Sequence, residues 1–203
     1  MSAPPSSARS PVALAILGVT LMNGAFLVEV GDLWIRLVGA IATLGAVGLA
    51  VARKQRRTLF STDGASIAIG VSSAVALYFA AAAVARLDLV APEAAVMSRW
   101  SAAYSMPVVI ATVVIAVLGE EIFWRAAFLR LATHGAQVIR PALLAALVFA
   151  LAHAGAETWL LPLAALGCGF VWNLIYLTTG NLTASFVSHL VWDLLVVVIA
   201  PLG

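Results

Sequence analysis

The chain has 203 residues; 64% are apolar and 10% charged, with 11 basic and 9 acidic side chains and a net charge of +2. Soluble domains average roughly 25% charged residues, so an ordinary soluble enzyme and a disordered tail are excluded, and so small a positive excess excludes a nucleic-acid partner. The class is an all-α, polytopic integral membrane protein: at about 20 apolar residues per crossing, about seven transmembrane helices fill the chain.

Residues 1–10 form a polar tail with Pro4, Pro5 and Arg9. An apolar run follows at once and gives the first helix, about 11–31. Its length, with Glu29 and Asp32 at its end, reads as a retained helix rather than a cleaved secretory signal. The second helix covers about 34–52. The basic run Arg53, Lys54, Arg56 and Arg57 and the turn Ser61-Thr62-Asp63-Gly64 come next. The third helix covers about 65–86. A more polar stretch, 87–106, is expected to lie partly at the interface. The fourth helix covers about 107–133, and the link after it ends at Pro141, a favoured first helical position. The remaining helices span about 141–154, 158–178 and 182–202, the last two joined by Thr179-Gly180-Asn181. Residues 11–99 are membrane helices of unassigned role; the chemistry falls in 100–203.

Lysine and arginine counts give an orientation. With the 53–57 loop in the cytoplasm, that side holds Arg9, Arg53, Lys54, Arg56, Arg57, Arg130 and Arg140, seven against Arg36, Arg86 and Arg99 on the other. Trp34, Trp100 and Trp159 fall at outer helix ends, as an interfacial aromatic belt does. The N-terminus is then cytoplasmic, and the protein a multi-pass protein of the plasma (inner) membrane.

Ionisable residues inside a membrane are costly and become functional candidates. Glu29, Asp32, Arg36, Asp63, Asp88, Glu93 and Glu157 lie near helix ends and read as solvated or interfacial. His134 reads as a polar loop residue. Cys168, the single cysteine, reads as a small packing residue; alone it forms no internal disulfide and no Cys-rich metal site.

Three clusters do not fit that reading. In Glu120-Glu121-Ile122-Phe123-Trp124-Arg125, Glu121 and Arg125 are four apart on one helix face, in the favourable acid-before-base order. That spacing suits a structural ion pair. Glu120 is rotated by about 100° and is expected to point elsewhere, without that partner. Phe149 and His153 share a face, so the ring can pack beneath the imidazole; a lone histidine of this kind is also commonly just a satisfied polar group. His189 and Asp193, four apart, aim at one place. At about 1.5 Å rise per residue, Glu120 lies about 15 Å from Arg130, His153 about 20 Å from Arg140 and His189 about 12 Å from Asn181. One layer, in the cytoplasmic half or near the midplane, therefore holds a carboxylate and two histidines. Such a set can activate a water, with Glu120 as general base and an imidazole holding the water or steadying an oxyanion.

Glu120-Glu121-x-x-x-Arg125, Phe149-x-x-x-His153 and His189-x-x-x-Asp193, in this order on three hydrophobic helices, resemble the CAAX protease and bacteriocin-processing family of intramembrane glutamic endopeptidases. The resemblance covers about residues 100–200. It implies that Glu120 and His153 activate the hydrolytic water, that His189 and Asp193 stabilise the oxyanion, and that Glu121, Arg125 and Phe149 support the site. The family often has asparagine where this chain has Asp193. An ionised aspartate cannot donate to an oxyanion, so Asp193 either acts protonated or only orients His189. The resemblance also implies a membrane-associated protein or peptide substrate, such as one bearing a C-terminal sorting or anchor signal.

No cofactor is expected. Zinc on Glu120, His153 and His189 is the alternative, since two histidines and a carboxylate form a known catalytic set, but there is no His-Glu-x-x-His spacing. Two rival readings are a non-catalytic bacteriocin-immunity or scaffold protein and a proton-coupled transporter. The second calls for an inverted repeat, which the sequence does not display.

Overall fold

The computed structural model describes residues 10–53, 59–60, 63–133 and 135–202. Most of the polar tail, Lys54, Gln55, Arg56, Arg57, Ser61, Thr62 and His134 lie outside the described residues. Within them the fold is all helical: α1 Pro11–Leu27, α2 Leu33–Val51, α3 Gly64–Ala85, α4 Ala91–Ala102, α5 Met106–Ala132, α6 Ile139–Ala152, α7 Leu160–Thr179 and α8 Leu182–Ile199. Five of these, α2, α3, α5, α7 and α8, are long and apolar enough to cross a membrane; α1 and α6 are shorter apolar helices. The chain is a multi-pass integral membrane protein, and α4 accounts for the more polar stretch at 87–106.

The helix ends follow local chemistry. The first helix stops at Leu27, short of the expected 31, because the backbone turns extended at Val28 (φ −83°, ψ 109°); Gly31 then turns the chain at a positive φ of 70°. Arg36 reaches back from α2 and donates to the Ala25 carbonyl in the last turn of α1 and to the Val30 and Gly31 carbonyls of the loop, tying the two together. Asp32 caps α2 by accepting from the N–H groups of Trp34 and Ile35. Gly180, at φ 74°, ends α7, and Asn181 caps α8 through Thr183.

Contacts fix which helix ends lie together. Asn23 of α1 donates to the Leu151 carbonyl of α6, and the Trp34 indole of α2 donates to the Trp100 carbonyl of α4. The late parts of α1, α4 and α6 thus meet the start of α2; this is the α4 end of the bundle. At the opposite end, that of the basic loop, Leu59 accepts from the Leu182 N–H and Asn181 bonds Ser66. The largest helix interfaces are α3 on α8, α6 on α7 and α2 on α5. In lipid, small residues let helices approach. A Cβ on Gly45 would stand 3.1 Å from the Gly119 Cα, so α2 and α5 touch backbone to backbone. This places α5, which carries three of the candidate residues, in the interior.

Candidate active site

α5 is α-helical through Glu120 and then opens into the wider i→i+5 turns of a π-helix over Glu121–Leu129. Such segments are rare and often mark functional sites. All nine residues of the segment are buried. Arg125 Nη1 lies 3.1 Å from Glu121 Oε1, both side chains being fully buried. The guanidinium carbon sits 4.9 Å from the Phe149 ring centroid and 5.4 Å from that of Trp172, so aromatic faces also surround the cation.

Glu121 does more than hold Arg125. Its Oε1 also accepts from His189 Nδ1 at 2.9 Å. The expected division holds, with Glu121 on Arg125 and Glu120 facing the two imidazoles; what it did not include is that Glu121 also reaches His189, at the other ring nitrogen. His189 stands between the two glutamates, so that each ring nitrogen meets one of them.

His153 stands at the C-cap of α6 rather than inside the helix, and its Nδ1 donates to the Phe149 carbonyl at 2.8 Å. The Phe149 ring meets the imidazole edge-on, 4.6 Å between centroids. A carbonyl can only accept, as can an ionised carboxylate. Each histidine therefore carries a proton on Nδ1 and turns Nε2 inward. The two Nε2 atoms face the two oxygens of one carboxylate: His153 Nε2 is 3.7 Å from Glu120 Oε1, and His189 Nε2 is 3.7 Å from Glu120 Oε2. These distances exceed a direct hydrogen bond; they are too short for a water to sit between the atoms, and a water beside each pair, on the cavity side, is what could reach both. Asp193 Oδ2 lies 3.8 Å from His189 Nε2.

Glu120, His153, His189 and Asp193 line one cavity of about 110 Å³, with Cys168 and Trp192 on its wall. The Asp193 side chain is 24% exposed and that of Glu120 9%, so Asp193 stands nearer the mouth.

Some residues of the site were not singled out in the sequence. Trp172 stacks on His189, 3.7 Å between centroids and 21° between planes. Its indole N–H donates to the Ser188 hydroxyl, which bonds Ser73 of α3. Asn173 donates to the Ala142 carbonyl and ties α7 to α6. The signal was a Trp-Asn pair in the middle of an apolar helix, where neither an interfacial belt nor bland packing calls for it.

The side chains that would ligate zinc are Glu120, His153 and His189. Among the described residues no three His, Cys, Asp or Glu side chains are set to hold a metal ion, and no step below uses one.

Residues 102–195 match the family model described as type II CAAX prenyl endopeptidase Rce1-like. No curated protein and no solved structure matches the chain. The matched span includes Glu120, Glu121, Arg125, Phe149, His153, Trp172, His189 and Asp193. Over the residues that build this cavity the chain is similar to the Rce1-like family, which supports the resemblance to CAAX-type endopeptidases.

Proposed function

We propose that this protein is an intramembrane endopeptidase that hydrolyses a peptide bond with a water activated by Glu120 and His153. One observation carries the reading: two imidazole Nε2 atoms, each with its tautomer fixed from behind, face the two oxygens of Glu120 across 3.7 Å. A water seated beside this pair, on the cavity side, donates one hydrogen to Glu120 and turns the other towards His153 Nε2, leaving a lone pair for the scissile carbonyl carbon. Glu120 takes the proton as the C–O bond forms. His189, held by Glu121 at Nδ1 and by the Trp172 face, donates from Nε2 to the oxyanion when it carries its second proton. Asp193 is beside the same nitrogen and either donates in its protonated form or steadies His189. Glu120 then passes its proton to the leaving nitrogen, the C–N bond breaks, and a carboxylic acid and an amine result.

The substrate in this reading is a membrane-associated protein or peptide, such as one carrying a C-terminal sorting or anchor signal. α1, α2 and α3 serve as scaffold for α5 and α8. The protein lies in the plasma (inner) membrane with its N-terminus in the cytoplasm, as the seven-to-three basic bias supports. The reaction is metal-free.

A peptidase assay in detergent tests this, with wild type beside Glu120→Gln and each with and without a chelator. Wild-type cleavage that survives chelation and is lost in Glu120→Gln is expected. Stoichiometric zinc in the purified protein, with activity lost to the chelator and restored by zinc, would replace the metal-free mechanism. An inactive wild type would leave an immunity or scaffold role.

A further inference from the structure

The part of the chain ahead of residue 102 lies outside the family match, yet one of its side chains reaches the wall behind His189. Gly70 makes that possible. A Cβ there would stand 2.7 Å from the Val187 Cβ and 2.8 Å from the Ala184 carbonyl, so α3 and α8 run in contact at this turn. On the next turn Ser73 brings its hydroxyl across the interface to that of Ser188, 2.8 Å away. Ser188 is fully buried and accepts from the Trp172 indole N–H at 3.1 Å. Trp172 of α7 in turn lies nearly flat on the His189 ring. The hydroxyl hydrogens complete the chain. Ser73 Oγ stands 2.8 Å from the Ile69 carbonyl and 2.9 Å from that of Gly70, and a carbonyl only accepts. With the single Ser73 hydrogen given to one of them, Ser188 donates to Ser73. Every donor from the indole to the α3 backbone then has an acceptor.

We propose that Ser73 is a positioning residue of the candidate site: through Ser188 and Trp172 it fixes the plane in which the His189 imidazole stands. The Glu121 bond at Nδ1 holds one atom of the ring and leaves its tilt about that contact open. A flat neighbour removes that freedom, provided that it is itself held. Of the two indoles on the cavity wall, that of Trp192 has no hydrogen-bond partner among the described residues, whereas that of Trp172 is met by Ser188. An indole without this bond would slide on His189 and carry Nε2 away from Glu120 and Asp193. Bonds between small polar side chains are weak as glue between helices in lipid. Loss of the Ser73 hydroxyl should therefore change the ring more than the stability. The effect on catalysis rests on the endopeptidase reading above; the positioning itself does not.

The full chain in detergent, carrying isotope-labelled histidine, reads the ring directly by nuclear magnetic resonance. There are three histidines, and the His189 signals are those that His189→Gln removes. Stacked on an indole, the His189 ring protons should be shifted upfield by its ring current. Ser73→Ala and Ser188→Ala should each move them towards the ordinary histidine position, and Trp172→Leu should do so fully. Ser73→Thr keeps a hydroxyl that can bond the same carbonyls and should restore the wild-type shift. Thr43→Ala deletes an exposed hydroxyl of α2 bonded to its own helix; it is the control and should change nothing. In peptide cleavage Ser73→Ala should lower kcat about fivefold, the rate equivalent of one net hydrogen bond. KM should stay unchanged, since an oxyanion donor acts in the transition state. In a Ser188→Ala background Ser73→Ala should lower kcat no further, because the two act in series. A melting temperature that falls in Ser73→Ala while the His189 signals and kcat stay put would make the contact mere packing between helices and overturn the proposal. Losses that multiply in the double variant would do the same. If the His189 signals respond as expected and wild type cleaves no peptide, the positioning stands and the endopeptidase reading falls.

Discussion

Glu120 and Glu121 are neighbours with different obligations. Glu120 faces the cavity and two imidazoles; Glu121 is fully buried between Arg125 and His189. Glu120→Gln keeps size and hydrogen bonding but removes the base, so folding should be intact and activity should fall by roughly 10²–10⁴. Glu121→Gln leaves a buried guanidinium without its counter-charge, which costs about 3–5 kcal/mol. The expected signature is poor yield and a lower melting temperature, with residual activity in whatever folds, because an amide oxygen can still accept from His189 Nδ1. Adding Arg125→Met should recover part of the stability. If Glu121→Gln folds normally and is dead while Glu120→Gln is active, the two roles are reversed. Asp193 can be judged in the same assay. Asp193→Asn preserves shape and supplies a donor, so measurable activity should remain, and Asp193→Leu should lose far more. Equal and complete loss in both would make the carboxylate itself necessary. The ion pair and the inward turn of Glu120 were legible from i,i+4 spacing. The second bond of Glu121 was not, since it depends on how α8 packs against α5, which spacing along one helix does not give.

At the scale of elements, apolar run length predicted the helices to within a few residues, because a segment facing lipid must keep its backbone bonded and its surface apolar along its whole length. Helix 1 is the exception. Its last expected turn is lost where the backbone turns extended at Val28, and Arg36 ties the last turn of the helix to the loop that follows. Helix-to-helix contacts were less legible, since Gly and Ala occur throughout and nothing in composition says which ones meet. Gly119 is one that does: a Cβ there would stand 2.6 Å from Ile41 Cγ2 and 2.9 Å from the Ile41 carbonyl. Gly119→Ala should separate α2 from α5 and lower stability by about 1–3 kcal/mol, as overpacking does. A melting temperature equal to wild type would show that α5 tolerates displacement one residue from Glu120. α4 is tied to the bundle by another polar contact at its edge. The Tyr104 hydroxyl donates to Asp32, which holds the Asp32 carboxyl below its usual range and the Tyr104 phenol above its own. A lowered carboxyl pKa contributes stability above the unfolded value and loses it as pH falls. Hydrogen exchange over 91–104 should therefore quicken towards acid pH, and Tyr104→Phe should quicken it at neutral pH as well. Indifference to both would remove this contact as the tie.

The candidate site adjoins a larger groove of about 350 Å³ that α4 helps to line, while the basic run 53–57 falls in the sequence between α2 and α3, whose junction is the opposite end of the bundle. Orientation in the membrane therefore decides which compartment supplies the substrate. In the orientation proposed from the seven-to-three bias the basic loop is in the cytoplasm, and the α4 end faces outward. Two single-cysteine variants in a Cys168→Ala background report on this directly. Gln55→Cys lies in the basic loop, outside the described residues, and should be shielded from an impermeant thiol reagent in intact cells and labelled once the membrane is opened. Leu89→Cys, an exposed position just before α4, should be labelled in intact cells. The reverse pattern would turn the protein over. Glu120, His153 and His189 would keep the same mutual geometry, because it is set by helix packing and not by the bilayer. The substrate would then approach from the cytoplasm, and the charge count would have misled because so much of it rests on one short loop.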